Sequence, residues 1–328
     1  MKSAFKSFLS NKKKVVYQLP EILFKDIFWE ENEDNMYYGH YDIFKKYTGC
    51  LLPFKINGEV QHGWAPHSGI TSLDLNSNDS SLKNNRYYVF NERNRDISLK
   101  AGYKNVLPIG SPFLYILNPK QYFSSKIFKS LIVFPTHSHE WSGFKDPFKA
   151  YKKYLVELKK IANFFSNISV SLGWAEYKNS NIVKMFKENN MSVVCMGHRT
   201  NNPSFLIKFI KEVSKHDYVS SDALSTAIFY SLYMKKKTFL YGNIINKKNL
   251  WSKHKSVSSN ILSNNLYPQL LWDSFDHESH HYIAEEELGS KYKKTPKELC
   301  QIFGWNRSSI KKFLPFQKIL KKLENNKS

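Results

Sequence analysis

The chain has 328 residues, of which 41% are hydrophobic and 16% are aromatic, and its formal net charge is +21. This apolar content excludes a wholly disordered chain, and the sequence lacks the run of about 18 apolar residues that predicts a membrane-spanning helix. The three cysteines are widely spaced and fit neither a disulfide framework nor a zinc site. Since the first residues also lack the apolar core of a signal peptide, we expect a cytoplasmic protein of about two domains.

The first part of the chain contains an amphipathic segment at 20–29 and a candidate strand at 50–56, which leads to His62 and Gly63. A βαβ unit follows, and it is closed by Gly110 and Ser111. Its parts are a strand at 87–90, a helix at 92–103 and a strand at 106–109. The pattern begins again near residue 120, where we place a domain boundary.

Strands and helices then alternate for more than a hundred residues, a pattern typical of a doubly wound parallel sheet. The predicted strands are 130–134, 168–172, 192–196, 218–219 and 238–241. The predicted fold class is therefore α/β, with two Rossmann-like domains and a helical, basic tail. The predicted divisions are an acceptor-side domain at 1–120, a nucleotide-binding domain at 121–250 and the tail at 251–328.

The segment 216–242 is the most informative stretch, because it predicts a strand, a hydroxyl-rich turn, a helix and a second strand. The turn places hydroxyl groups at a helix N-terminus, where free backbone N–H groups favour a phosphate. The candidate phosphate ligands are Ser220, Ser221, Ser225 and Thr226. These residues also suit simple helix capping, which does not exclude phosphate binding.

Polar or glycine-containing clusters follow six of the candidate strands. They are His62-Gly63, Gly110-Ser111, His137-Ser138-His139, Gly173-Trp174, Gly197-His198-Arg199 and Ser220-Ser221. Ligands of open α/β sheets bind outside the carboxyl ends of the strands. Each cluster alone could be an ordinary loop, but together they predict a cleft between two sheets.

Four of these stretches resemble the motifs of GT-B type bacterial glycosyltransferases of capsule and lipopolysaccharide biosynthesis. They are His62-Gly63, Gly110-Ser111-Pro112, Pro135-Thr136-His137-Ser138 and the Ser-rich turn with its following Thr226-Ala227. The pairing of His62-Gly63 with a later Ser-rich turn is similar to polymer glycerophosphotransferases that use CDP-glycerol and to sialyltransferases that use CMP-sugars. The segment 295–305 is similar to segments of proteins from such gene clusters. The chain departs from both families, since it lacks the paired acidic motif of the sialyltransferase base and a strict His-Pro.

The resemblance implies transfer from a CMP, CDP or UDP type donor to a polysaccharide or lipid-linked acceptor, without a bound metal or another cofactor. His62 would be the base, with Glu140 as its substitute, and His137 or His139 would stabilise the leaving phosphate. The nucleotide would lie against two further groups, Gly110 with Ser111, and Gly197, His198 and Arg199.

The basic tail has a second interpretation. Residues 291–328 contain eleven Lys or Arg against two Glu, and 310–323 form an amphipathic pattern. Such a segment suits an anionic membrane surface, which would make the protein peripheral at the inner face of the membrane, or it packs back on the first domain. Nucleic acid is the less favoured partner.

Two alternatives to the enzyme stay open. Residues 295–314 can be interpreted as a helix-turn-helix of a DNA-binding protein, and a GT-B-like fold can serve as a non-catalytic scaffold in a polysaccharide complex. We also considered a metal cluster of His277, His281 and Glu285, but favour a solvated helix, and we predict no metal site.

Overall fold

The computed structural model describes residues 30, 32–50, 55–64, 84–118, 127–137, 146–200, 202–242 and 266–305. Eight strands in these ranges form two sheets, and all strand pairs are parallel. The strands are β1 Glu59–Val60, β2 Arg86–Val89, β3 Asn105–Pro108, β4 Ile127–Val133, β5 Asn167–Ser171, β6 Ser192–Val194, β7 His216–Ser221 and β8 Lys237–Leu240. The predicted α/β class with parallel sheets is confirmed.

Ten α-helices accompany the strands in the described ranges. They are α1 Glu33–Met36, α2 His40–Thr48, α3 Glu92–Lys100, α4 Pro147–Ile161, α5 Trp174–Lys178, α6 Ser180–Lys187, α7 Phe205–Ser214, α8 Thr226–Tyr233, α9 His281–Glu287 and α10 Pro296–Ile302. The sequence explains α4 well: Asp146 caps its N-terminus by accepting from the Lys149 N–H, and Pro147 opens the first turn. Its buried face carries Tyr151 and Leu158 at helical spacing.

The first sheet has the order β1-β2-β3. Its edge strand lies later than the predicted strand at 50–56, of which the described residues 50, 55 and 56 are outside any strand. The Asn35 side chain fixes this later position, because it accepts from the Val60 N–H at 2.9 Å and donates to the Gly58 carbonyl at 3.0 Å. A buried amide on α1 therefore sets where the edge strand forms.

The second sheet has the order β6-β5-β4-β7-β8. Starting from β4, the chain adds β5 and β6 on one side and then crosses to add β7 and β8 on the other. This order creates a topological switch point between β4 and β7, the place where open α/β sheets bind their ligands. The switch point lies at the carboxyl ends of these two strands, directly before Phe134 and Asp222.

The hydrophobic core joins the two sheets. One cluster of buried side chains contains Val60, Tyr88 and Ile109 from the first sheet and Ile132 and Val219 from the second. Alternate residues of β4 point to opposite faces, so its other buried residues belong to a separate cluster beneath α4. The two sheets thus meet through continuous apolar packing.

Residues 266–305 return to the first sheet. Phe303, directly after α10, packs edge-on against Phe44 and Tyr88, with ring centroids at 5.0 and 5.2 Å. The Trp305 indole N–H donates to the Lys55 carbonyl at 3.3 Å. The apolar side of this segment is thus buried in the core. The rest of the predicted helix-turn-helix, 306–314, lies outside the described residues.

Several predictions concern residues outside the described ranges, among them the amphipathic segment at 20–29 and most of the basic tail, including 310–323. The division at residues 120 and 250 stays a prediction. Within the described ranges, each helix is too short or too polar to cross a bilayer.

Candidate functional site

Thr136 and Asp222 join the two strands of the switch point. The Thr136 backbone N–H donates to the Asp222 carboxylate at 2.7 Å, and the Thr136 hydroxyl donates to the same group at 2.9 Å. His137 follows directly, at the carboxyl end of β4. Hydrogen bonds therefore join the loop after β4 to the loop after β7. They fix the backbone of Thr136, which directly precedes His137.

His137 is exposed to solvent in a concave, crowded part of the surface. This crowding lowers the pKa of His137 by desolvation; among the nearby charges, Glu176 raises it and Arg199 lowers it. A histidine whose pKa is lowered is mostly neutral at pH 7, and its ring N–H can still donate a hydrogen bond. His137 therefore lies at the switch point within the electrostatic range of an arginine and two carboxylates.

The next two strands extend this edge. Gly173 follows β5, and a Cβ placed on it would lie 3.1 Å from the His137 Cβ. Trp174, the first residue of α5, has an exposed indole that lies perpendicular to the His198 ring at 6.5 Å. His198 and Arg199 follow β6 and are both exposed. The edge of the second sheet thus presents two histidines, an arginine and a tryptophan in strand order.

The first sheet contributes His62, which follows β1. The His62 ring lies 4.1 Å from the Tyr37 ring, and its Nε2 is 3.1 Å from the Tyr38 hydroxyl. The Arg199 guanidinium lies over the same Tyr37 ring, 4.9 Å from its centroid. A tyrosine thus contacts both a histidine of the first sheet and an arginine of the second.

Tyr38 takes an unusual backbone conformation to make these contacts. Its φ of 56° is left-handed, which is sterically unfavourable for an aromatic residue, and Gly39 continues the turn with a φ of 80°. The Tyr38 N–H donates to the Arg199 carbonyl at 2.7 Å. Burial raises the pKa of Tyr38 to about 12, so its hydroxyl keeps its proton at neutral pH. The strained turn therefore fixes a neutral hydrogen-bonding group against His62.

Gly63 and Trp64 connect the first sheet to α8. The Trp64 N–H donates to the Thr226 hydroxyl at 2.9 Å, and a Cβ on Gly63 would lie 2.7 Å from that oxygen. The Trp64 indole N–H donates to the buried Glu287 carboxylate, which also accepts from Arg93 at 2.8 Å. The predicted phosphate ligand Thr226 therefore holds the loop after β1, and Gly63 permits the close approach.

Gly110 and Ser111 are also engaged in packing. Gly110 has a φ of 76°, which favours glycine. Ser111 is fully buried, its N–H donates to the Leu288 carbonyl at 2.8 Å, and its hydroxyl lies 3.2 Å from the Tyr230 hydroxyl on α8. This pair connects β3 to α8 and to the segment after α9.

The two serines that end β7 are less accessible than a ligand site needs. Ser220 and Ser221 are buried, and the Ser221 hydroxyl donates to the Phe134 carbonyl at 2.7 Å. Ser225 precedes the first residue of α8 without making a side-chain cap. Its buried hydroxyl has no hydrogen-bond partner within the described residues. The Ser220 hydroxyl also has no partner within the described residues, but Ser225 is the serine that lies at the helix start.

The remaining predicted residues do not join the cluster. His139 and Glu140 lie outside the described residues. His281 pairs with Glu285 at 3.2 Å, whereas His277 lies among aromatic rings, stacked 5.2 Å from Phe164. In the described ranges, histidine, cysteine and carboxylate side chains do not group into a metal site.

Sequence analysis missed four residues that shape this region. Tyr37, Tyr38 and Glu287 gave no signal, because their partners are distant along the chain. Trp174 did give one: a large apolar side chain directly after a glycine at a strand end. The pair belongs to the predicted cleft, without a predicted role for the indole.

No family model and no curated protein matches the sequence. Three solved structures of the wall teichoic acid polymerase TagF, two of them single-residue variants, share 13–16% identity with the chain over 73–77% of its length, with TM-scores of 0.33–0.35. The matched region spans 59–61% of those TagF chains. At these values the likeness establishes neither a fold nor an activity for this chain.

Proposed function

We propose that the chain transfers a sugar or a glycerophosphate-like group from a nucleotide-activated donor to a hydroxyl of a cell-surface polysaccharide or lipid-linked acceptor. One observation supports this above the others. His62 from the first sheet and Arg199 from the second meet across Tyr37, next to the switch point that carries His137. A transferase of this type needs a base on one side and a phosphate-binding cation on the other.

In this proposal the donor lies along the second sheet. Its phosphates lie at the switch point, beside His137, the Arg199 guanidinium and Ser225 at the start of α8. Gly197 and His198 line the rest of the nucleotide. A guanidinium binds phosphate oxygens through two parallel hydrogen bonds, and a helix N-terminus adds favourable backbone dipoles. Arg199 is exposed, so its guanidinium can reach a ligand in the cleft.

The acceptor lies on the side of the first sheet. His62 takes the proton of the acceptor hydroxyl while the acceptor oxygen forms its bond to the transferred group. The bond between that group and the nucleotide phosphate breaks, and His137 and Arg199 stabilise the charge that the departing phosphate gains. Tyr38 orients the His62 ring through its hydroxyl, as a second residue does for the histidine of many active sites.

The serine-rich turn keeps a narrower role than the sequence predicted. Ser220 and Ser221 shape the turn from within, and Thr226 holds the loop after β1.

The membrane contact of the basic tail and a cytoplasmic location at the inner face of the membrane belong to this proposal as well, since a lipid-linked acceptor is presented there.

Nucleotide binding tests the proposal. We would measure the thermal stabilisation of the full chain by CMP, CDP, UDP, GDP and ADP, since a ligand that binds only the folded state raises the melting temperature. We expect a selective shift with a cytidine or uridine nucleotide that Arg199→Ala abolishes. Lys184→Ala, which removes an exposed cation from α6, is the matched control and keeps the shift. A folded protein that none of these nucleotides stabilises would overturn the proposal.

The donor identified in this way allows a second test. His62→Ala is expected to lower the transfer rate by about 10²- to 10⁴-fold, the usual contribution of a general base, and to leave nucleotide binding intact. Full turnover in this variant would exclude His62 as the base.

A further inference from the structure

The exposed indole of Trp174 has no role in the proposed chemistry. Its side chain is 41% exposed, although large apolar groups are mostly buried in folded proteins. It opens α5 directly after Gly173, at the carboxyl end of β5. An exposed aromatic ring at this edge needs an explanation, because the edge also carries the residues that bind phosphate in the proposed function.

The position of Trp174 relates it to those residues. Neighbouring strands are roughly 4.8 Å apart, so the groups that follow β4, β5 and β6 lie in a row at that spacing. His137, Trp174 and His198 occupy these three places, in the order of the strands. A nucleotide whose phosphates lie at the switch point extends along this row, and its base reaches the place that Trp174 occupies.

The surroundings of the indole suit a flat, polar ring. His198 stands perpendicular to it at 88°, and the Lys178 ammonium lies 4.7 Å from its ring centre. Both neighbours are exposed. An exposed pair of a cation and an aromatic ring is a weak interaction, so an arriving base can displace Lys178. The corner between the two rings then offers stacking against one and hydrogen bonding to the other.

We infer that Trp174 is the stacking platform for the nucleobase of the donor, with His198 as the side wall of the base site. This inference rests on the proposed function, because it requires the phosphates to lie at the switch point. Stacking on an aromatic side chain tolerates every base, so the platform supplies affinity. Selection between bases falls to the hydrogen bonds at His198.

Binding constants for CDP, UDP and inorganic pyrophosphate test this inference in the full chain. Replacing a stacking aromatic residue weakens a base contact by roughly tenfold to a hundredfold. We therefore expect Trp174→Ala to weaken CDP or UDP by that factor and to leave pyrophosphate binding unchanged. Trp174→Phe is expected to recover part of the loss, since it keeps an aromatic face.

Tyr177→Ala is the matched control, because Tyr177 is an aromatic residue of the same short helix with a similar exposure of 42%. It is expected to bind CDP and UDP like the wild type. Wild-type affinity of Trp174→Ala for both nucleotides would overturn the platform and leave the proposed function standing. An equal loss of nucleotide and pyrophosphate would assign Trp174 a structural role at His137. A wild-type protein that binds neither nucleotide would overturn both proposals.

Discussion

Two Gly-Trp pairs follow parallel strands in this molecule, and their environments are opposite. Gly63-Trp64 comes after β1, and its indole is 7% exposed, whereas Gly173-Trp174 comes after β5, with 41% exposure. Trp64 donates from its indole to Glu287 and packs 4.5 Å from Phe229. The Lys178 ammonium and the His198 ring lie near the Trp174 indole, and both residues are exposed.

The difference extends to the edges around the two pairs. After the strands of the first sheet, polar side chains such as Gln61, Asn91 and Ser111 are buried and bonded to protein groups. After β4 to β6 of the second sheet, His137, His198 and Arg199 are exposed. The polar groups after the strands of the first sheet are thus used in internal packing, with His62 at the border of this region. Those after β4 to β6 of the second sheet are accessible to a ligand.

The tryptophans give the largest expected contrast. Trp64→Ala should lower the free energy of unfolding by about 3–5 kcal/mol, because it removes a buried ring and leaves Glu287 without one donor. Trp174→Ala should change it by less than about 0.5 kcal/mol, as surface substitutions do. Urea unfolding of both variants measures this contrast. Equal losses would mean that the second edge is as tightly packed as the first.

Glu287 provides the next contrast. It is a buried carboxylate that accepts from Trp64, Arg93 and Tyr267, so Glu287→Gln should cost about 2–3 kcal/mol through weaker and mismatched hydrogen bonds. Glu285→Gln, on the exposed side of the same helix, is the control and should cost less than about 0.5 kcal/mol. The urea midpoints of the two variants measure this difference in stability. If Glu287→Gln leaves the free energy of unfolding unchanged, the charge of this carboxylate does not stabilise the packing around Trp64.

Two buried histidines make the stability of the molecule depend on pH: His40 on α2, which packs near the first sheet, and His216 on β7 of the second. Burial, and to a smaller extent His62, lowers the pKa of His40 to about 3, and burial with Lys236 lowers that of His216 to about 4. Both are neutral when folded but bind a proton near pH 6.5 when unfolded. Stability is therefore complete above about pH 6.5 and falls as the pH drops towards those values, by up to about 1.4 kcal/mol per pH unit for each histidine.

Urea midpoints at pH 7.5 and pH 5 test this dependence. His40→Asn and His216→Asn should each flatten it, and the effect of His40→Asn should persist further into acid. An unchanged slope in both buried variants would contradict the assignment.

Thr226 gives the smallest effect. Thr226→Val removes the acceptor of the Trp64 N–H and should cost about 1 kcal/mol, whereas Thr226→Ser keeps the hydroxyl and should cost less. Nucleotide affinity should stay the same in both, because this hydroxyl belongs to the packed edge. A selective loss of nucleotide binding in Thr226→Val would assign it to the ligand instead.

The sequence predicted the second sheet better than the site. The strand predicted at 168–172 is Asn167–Ser171, and the strand predicted at 130–134 is the second half of Ile127–Val133. Apolar runs and helical spacing are local properties, and capping residues such as Asp146 lie next to the helix they start.

The fate of the residues after the strands could not be predicted in the same way. Gly63-Trp64 and Gly173-Trp174 have equivalent sequence contexts, and what separates them is Glu287, 223 residues from Trp64 along the chain. Likewise, Ser111 and Thr226 carry the right chemistry for a phosphate but are engaged by Tyr230 and Trp64. Exposure at a strand end depends on tertiary partners that periodicity does not reveal.

The return of residues 266–305 to the first sheet also sets an order of folding. The bonds from Trp305 to Lys55 and from Tyr47 to Lys294 join groups 250 and 247 residues apart. Synthesis delivers β4 to β8 before these partners exist, and contacts of such separation form slowly. The second sheet should therefore gain hydrogen-exchange protection first during refolding, so that the ligand-facing half assembles before the half that encloses His62. Simultaneous protection of β2 and β4 amides would contradict this order.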